Sequence, residues 1–419
     1  MGDRFSNLSD NSQSQALLSQ AIAELESGDF QQRWDAAKQL TKMGTIAINP
    51  LIEILEDSET DPEVRWFVAR TLGQFNSDAV VPALVNVLQT AKTEESSENS
   101  LLEMAATALA NLGTSAVDSL NILLENEQLR PFVTEALAQI RRSETIAPLL
   151  RVVNDSNPKV RQTSIEALGS FHDPRIPPVL INALNDPYPA VRKEAIIGLS
   201  RREDLVNKLN LVEQLQPLLW DINPGVCQQA QIALSRLGTD EAVMAIVEQI
   251  QSKTTPASVK IDAVRSLCWI ETPAALNQLK QILFTIPEES NSHPSSLAIH
   301  QEIIQGIGRT NRPEAKTKAS QILIEFLQSQ HPALDIPNLK QLVALSLGQL
   351  GDINAFDALV QLLADSQKTV QFHCIAALKQ LNVPINSPPI YQRLQQLTQE
   401  NNLDPNLQKG IYMALQEWN

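Results

Sequence analysis

Asn157-Pro158-Lys159-Val160-Arg161-Gln162-Thr163-Ser164-Ile165-Glu166-Ala167-Leu168-Gly169 carries the pattern that organises the whole chain. Val160, Ser164 and Leu168 follow one another at four-residue intervals, which puts them on one side of a helix turning 100° per residue. The same triplet returns as Val64, Val68, Leu72, as Val191, Ala195, Leu199, and as Val226, Ala230, Leu234. Its last member falls at Leu40, Leu72, Leu109, Leu137, Leu168, Leu199, Leu234, Leu267, Ile307, Leu347, Leu378 and Leu415. A helical period nested in a unit of roughly 30–40 residues is the mark of a stacked helical repeat. The expected fold is therefore all-α, a right-handed α-solenoid of about 12 helix pairs.

Composition agrees with that reading. Hydrophobic residues make up 43% of the 419, aromatics only 4%, and there are 14 glycines, which suits closely packed Ala/Leu helices. The net charge of −15 argues against non-specific nucleic-acid binding. Cys227, Cys268 and Cys374 show no metal-site spacing, and so sparse a set suits a reducing cytoplasm. The sequence has neither a leader pattern nor 18 consecutive apolar residues, so a cytoplasmic protein without membrane insertion is expected.

Residues 1–13 are polar and are expected to be a disordered tail, with 14–419 forming one array. Loop insertions are expected near 90–99, 285–296 and 329–338, where the unit period stretches. First helices begin with motifs such as Ile146-Ala147-Pro148-Leu149, since proline is tolerated where early amides lack a helical partner. Second helices stop at Leu72-Gly73, Leu112-Gly113, Leu168-Gly169 and Leu237-Gly238, where glycine fits a cap of positive φ.

The first triplet member of each second helix, position 0, sets the phase of that helix. Positions 0, +4, +8, +1 and +5 form the packed arc, and +2, +6 and +9 fall opposite, where a superhelix of this kind exposes its concave groove. Trp34 and Trp66 stand at +2, with Lys38 and Arg70 at +6 and Arg33 and Arg65 at +1. Such pairs suit a flat anionic ligand or an acidic-aromatic partner surface; the alternative is that both tryptophans pack against a neighbouring repeat as the N-terminal cap. Cys268 is at +9 beside Arg265, where it can sit at the groove margin and a thiolate would be favoured by the guanidinium, although a purely structural place is the favoured reading. Cys374 at +4 reads as core. Cys227 takes the place of the arginine found at Arg161 and Arg192. No P-loop, GxSxG or HExxH motif is present, and no catalytic residue is assigned.

The pattern resembles the HEAT repeat in its short bacterial form, including an Asp six residues before an Arg: Asp155 with Arg161, and Asp186 with Arg192. The resemblance implies a ladder of charge-assisted bonds between repeats, interrupted where Asp221 meets Cys227 and Asp365 meets Gln371. Gln32-Arg33-Trp34-Asp35-Ala36-Ala37 and Glu63-Val64-Arg65-Trp66-Phe67-Val68-Ala69-Arg70 look like segments of the cyanobacterial phycobilin lyase E/F family. That resemblance implies a lyase attaching a linear tetrapyrrole to phycobiliprotein cysteines, with a bilin as bound substrate and no intrinsic cofactor.

The same group includes a HEAT-repeat protein that partners an iron–sulfur carrier of the IscA type. The favoured expectation is a non-catalytic scaffold or assembly chaperone. Its partner would be a phycobiliprotein subunit or such a carrier, bound in the groove during cofactor insertion or phycobilisome assembly. The lyase is the alternative.

Overall fold

The computed structural model describes the backbone of residues 3–90, 96–285, 294–383, 387–399 and 403–418. All elements within them are helical, and they pair as the period requires. Each of the twelve aligned positions lies within or at the edge of the second helix of its pair, from Phe30–Met43 and Pro62–Leu72 to Lys368–Gln380 and Pro405–Gln416. The chain divides into two compact units, Met1–Gly198 and Leu199–Asn419.

Why these segments form helices is visible at their ends. Second helices commonly open with proline just after a capping side chain. Asn157 accepts from the amide of Lys159, Asn223 from those of Gly225 and Val226, and Asp404 from those of Asn406 and Leu407. The cap satisfies an orphan donor, and proline loses nothing by lacking one. The triplets are buried as predicted: Val160, Ser164, Leu168, Val226, Ala230 and Leu234 are each at most 1% exposed.

Two of the segments expected to be tail or insertion have described structure. Helix Asp3–Ser27 begins inside the stretch expected to be a tail, and its buried anchors, Ala21 and Leu25, lie in its later turns. The stretch 329–338 contains a short 3₁₀ turn, Pro332–Asp335, capped by the His331 ring accepting from the amide of Ala333. Residues 91–95 and 286–293, the centres of the other two expected insertions, lie outside the described residues.

The glycines ending second helices do two different jobs. Gly113 and Gly238 have φ of 71° and 61°, the left-handed backbone that favours glycine. Gly73 and Gly169 remain right-handed, with φ of −65° and −59°, contrary to the expected cap. Their purpose is close approach. A methyl on Gly73 would sit 2.6 Å from Ala108, one on Gly348 would sit 2.8 Å from Ala377, and one on Gly308 would sit 2.5 Å from Ser346. In each case position +9 of one second helix meets +7 of the next.

This corrects the assignment of +9 to an open groove. Successive second helices pack side by side, so a flank, as well as the face toward the first helix, is buried. Position +7 is correspondingly Gly, Ala, Ser or Thr in eleven of the twelve repeats, the exception being Gln39.

The charged ladder also differs in its wiring. Arg161 donates to the main-chain oxygen of its own Asp155 at 2.8 Å, and its guanidinium forms a bidentate pair with Asp186 of the following repeat at 2.8 and 2.9 Å. Arg130 reaches Asp155 in the same way at 2.8 Å, and Lys340 reaches Asp365 at 2.7 Å.

Cys227 and Gln371 keep half of this arrangement. Cys227 Sγ donates to the Asp221 carbonyl at 2.9 Å, and Gln371 Nε2 donates to the Asp365 carbonyl at 2.7 Å. Both retain the bond within the repeat and bring no cation to the following one, where the sequence has Thr254 and Asn402 in place of the aspartate.

Candidate partner-binding surface

The N-terminal residues singled out by sequence converge, though mainly on one another. Arg70 lies 4.0 Å from the ring centre of Trp34, in the preceding repeat, and Lys38 lies 5.8 Å from it. Phe30 stacks on the same indole with centroids 6.1 Å apart, and Trp34 meets Phe67 edge-on at 6.3 Å. Trp66 packs edge-on against Phe67 at 5.1 Å. The cation–π pair therefore forms between repeats, instead of between Trp66 and Arg70 within one.

Arg33 is held by Glu63 at 2.6 Å, and Arg65 donates to the carbonyl of Leu55 at 3.0 Å. At position +1 these two guanidiniums serve as links of the structure and not as free anion partners. Phe30 is exposed and Trp34 and Trp66 are half-buried, so the cluster is an aromatic cap with one open edge.

Cys268 is not a thiolate at a groove margin. It is buried against Gly306, and burial, reinforced by the Glu302 carboxylate, pushes its thiol up to about 12. Arg265, the expected activator, is engaged by Glu302 at 2.9 Å and Asp262 at 3.0 Å. Burial likewise drives Cys374 to about 12 and raises Cys227. All three thiols are free and buried. A disulfide-exchange reagent at pH 8 should therefore titrate none of them in the folded chain and three after denaturation. Rapid native labelling of Cys268 would refute its placement.

Two cavities lie away from Trp34 and Trp66. One of about 510 Å³ in the first unit is lined by Asn154, Arg161, Asn182 and Asp186 among others. One of about 570 Å³ in the second unit is bordered by Glu241, Met244 and Glu248. Neither lining includes Trp34, Trp66 or Arg70.

The second unit offers a surface that the sequence reading passed over. Trp269 is 65% exposed, Phe372 51% and Leu345 36%, at +10, +2 and +6 of their second helices. These positions share the side of the helix turned from the core. The signal was the phase of +10, at 280°, which falls outside the packed arc. They are large apolar side chains left exposed on one face of the helices Ala257–Ile270, Pro337–Leu350 and Lys368–Gln380.

A stack of helix pairs, locked by small-residue contacts and a charge ladder, is a helical-repeat protein in its architecture. HEAT-repeat models match residues 16–102, 48–128, 120–200 and 176–267, together more than half of the chain. The chain belongs to the HEAT-repeat family. A PBS lyase HEAT-like repeat matches residues 341–365. No curated protein matches the chain.

Among solved structures, importin beta is 13% identical with a TM-score of 0.53, over 95% of this chain and 60% of that one. The Escherichia coli protein YibA is 17% identical, over 66% of this chain and 97% of that one, with a TM-score of 0.42. Human deoxyhypusine hydroxylase in complex with glycerol is 18% identical, over 72% and 96%, with a TM-score of 0.27. Identities this low concern the fold alone. The repeat stack fits a protein-interaction scaffold, and no described helix is long and apolar enough to cross a membrane.

Proposed function

We propose that this chain is a non-catalytic scaffold or assembly chaperone that binds a partner protein on the outward face of its second helices. The observation that carries this reading is the exposure of Trp269, Leu345 and Phe372 on that face of the second unit. Apolar side chains at these positions gain nothing within the chain, and a partner that covered them would gain about 25 cal/mol per Å² of apolar area removed from water. The PBS lyase HEAT-like match over residues 341–365 supports placing this work in cofactor insertion or phycobilisome assembly. A phycobiliprotein subunit or an iron–sulfur carrier of the IscA type is then the proposed partner.

The alternative, a phycobilin lyase subunit, needs cations free to hold the bilin propionates beside Trp34 and Trp66. With Arg33 and Arg65 committed to Glu63 and to the Leu55 carbonyl, and Arg70 lying on Trp34, the geometry favours the scaffold.

The test is a photo-crosslinking amino acid at Leu345 or Phe372, expressed in the native host, with the purified complex examined by mass spectrometry and visible absorbance. One dominant protein partner at both positions and a colourless complex are expected. A covalently coloured phycobiliprotein product, formed only with this chain present, would establish the lyase instead.

A further inference from the structure

Three neighbouring second helices of the second unit, Pro224–Leu237, Ala257–Ile270 and Pro294–Gly308, pack side by side. At +10 they present Arg236, Trp269 and Arg309 in succession, and all three are exposed. Arg309 follows the last helical residue, and its amide still donates to the Gln305 carbonyl at 3.1 Å, so it keeps the helical register. Packed helices stand about 10 Å apart, so Arg236 and Arg309 project from the helices on either side of the one that carries Trp269.

The local charge balance makes this row unusual. The three helices contain two carboxylates, Asp262 and Glu302, and Arg265 holds both. Glu271, just beyond the middle helix, accepts from the amides of Asn311 at 3.0 Å and Arg312 at 2.9 Å. Among the described residues, neither Arg236 nor Arg309 has an ion pair or a side-chain hydrogen bond. In a chain of net charge −15, the carboxylates on these three helices and Glu271 are engaged internally, and among the described residues two guanidiniums on the helices beside an exposed tryptophan have no acceptor.

We infer that Arg236, Trp269 and Arg309 form a docking strip for an acidic segment of a protein partner, whose carboxylates pair with the two arginines while an aromatic or aliphatic side chain packs on Trp269. Arginine pairs with carboxylates through two parallel bonds and also stacks on aromatic rings, so one short segment satisfies all three residues. The acidity of the chain as a whole repels a long polyanion such as nucleic acid and leaves a short acidic segment as the fitting occupant. This rests on the scaffold reading and adds the chemistry of the partner.

Fluorescence anisotropy with a dye-labelled peptide of phenylalanines spaced among glutamates, added to the full chain, tests the strip. Saturable binding that weakens as salt rises is expected. Arg236→Glu with Arg309→Glu should weaken it at least about tenfold, by repulsion as well as loss of attraction. Trp269→Ala should weaken it about tenfold, as expected for an aromatic anchor. Arg236→Gln with Arg309→Gln, checked for unchanged helicity by circular dichroism, keeps the result interpretable if the reversed charges disturb folding.

Absence of saturable binding, undiminished binding by the Gln pair, or equal binding of the peptide with lysine for glutamate would each overturn the proposal. Tighter binding of a single-stranded DNA oligonucleotide would show that the strip serves nucleic acid instead. A partner cross-linked at Leu345 and Phe372 alongside a failed peptide assay would remove the strip alone. Peptide binding with no cross-linked protein would remove the wider scaffold surface and leave the strip standing.

Discussion

Gly306→Ala is expected to destabilise the second unit by about 2 kcal/mol, and Cys268→Gly in the same chain is expected to restore most of that loss. A methyl on Gly306 collides with Cys268 Sγ and comes within 2.8 Å of Cys268 Cβ, so rotating the thiol away does not relieve the clash. The double variant recreates, in the same orientation, the glycine-at-+9, alanine-at-+7 contact that Gly73–Ala108 and Gly348–Ala377 already use.

Cys268→Gly alone should cost about 1 kcal/mol from glycine in a helix, plus the lost packing of the thiol. Urea denaturation of the four chains gives the coupling, expected to favour the double variant by more than about 1 kcal/mol. Strict additivity would mean that the two helices can move apart at that point. A tolerated Gly306→Ala would refute the tight contact outright.

Arg161→Ala should destabilise the first unit by about 3 kcal/mol, because it leaves a largely buried carboxylate without its cation. Arg161 and Asp186 side chains are only 11% and 10% exposed, and the pair is bidentate. Arg265→Ala is the comparison. That side chain is 51% exposed, solvent screens its pairs, and the loss should be no more than about 1 kcal/mol.

The difference has a pH signature. Burial alone raises Asp186, but the bonds from Arg161 and the Tyr188 amide outweigh it and hold its carboxyl below the usual value. A depressed folded value stabilises above the ordinary carboxylate range near about 3.9, and that contribution disappears as pH falls through the folded value. The gap between wild type and Arg161→Ala in thermal melts should therefore be full at pH 7 and narrow below about pH 4. A gap of equal size at pH 2.5 would show that the arginine acts through packing of its stem.

The helix pairs, their number and their buried triplets were legible because burial against a first helix imposes a four-residue interval that recurs in every unit. Candidate residues were legible by type and phase, but their partners were not. Trp34 and Arg70 are separated by a whole repeat, so a reading confined to one helix paired Trp66 with Arg70 instead. Position +9 was assigned to a groove, although the small residues at +7 already marked a helix–helix contact. The burial of Cys268 removes the groove-margin alternative and leaves its structural reading.

The sequence by itself determined that this chain is a stack of about a dozen helix pairs, with its polar exceptions at defined phases, because periodicity records burial along one helix. Only the tertiary structure decided which exceptions are occupied. Arg33, Arg65 and Arg265 find acceptors on neighbouring elements, whereas Arg236 and Arg309 find none among the described residues. Whether a charge is satisfied depends on which helices lie side by side, and that relation between distant segments is not written in the period of any one of them.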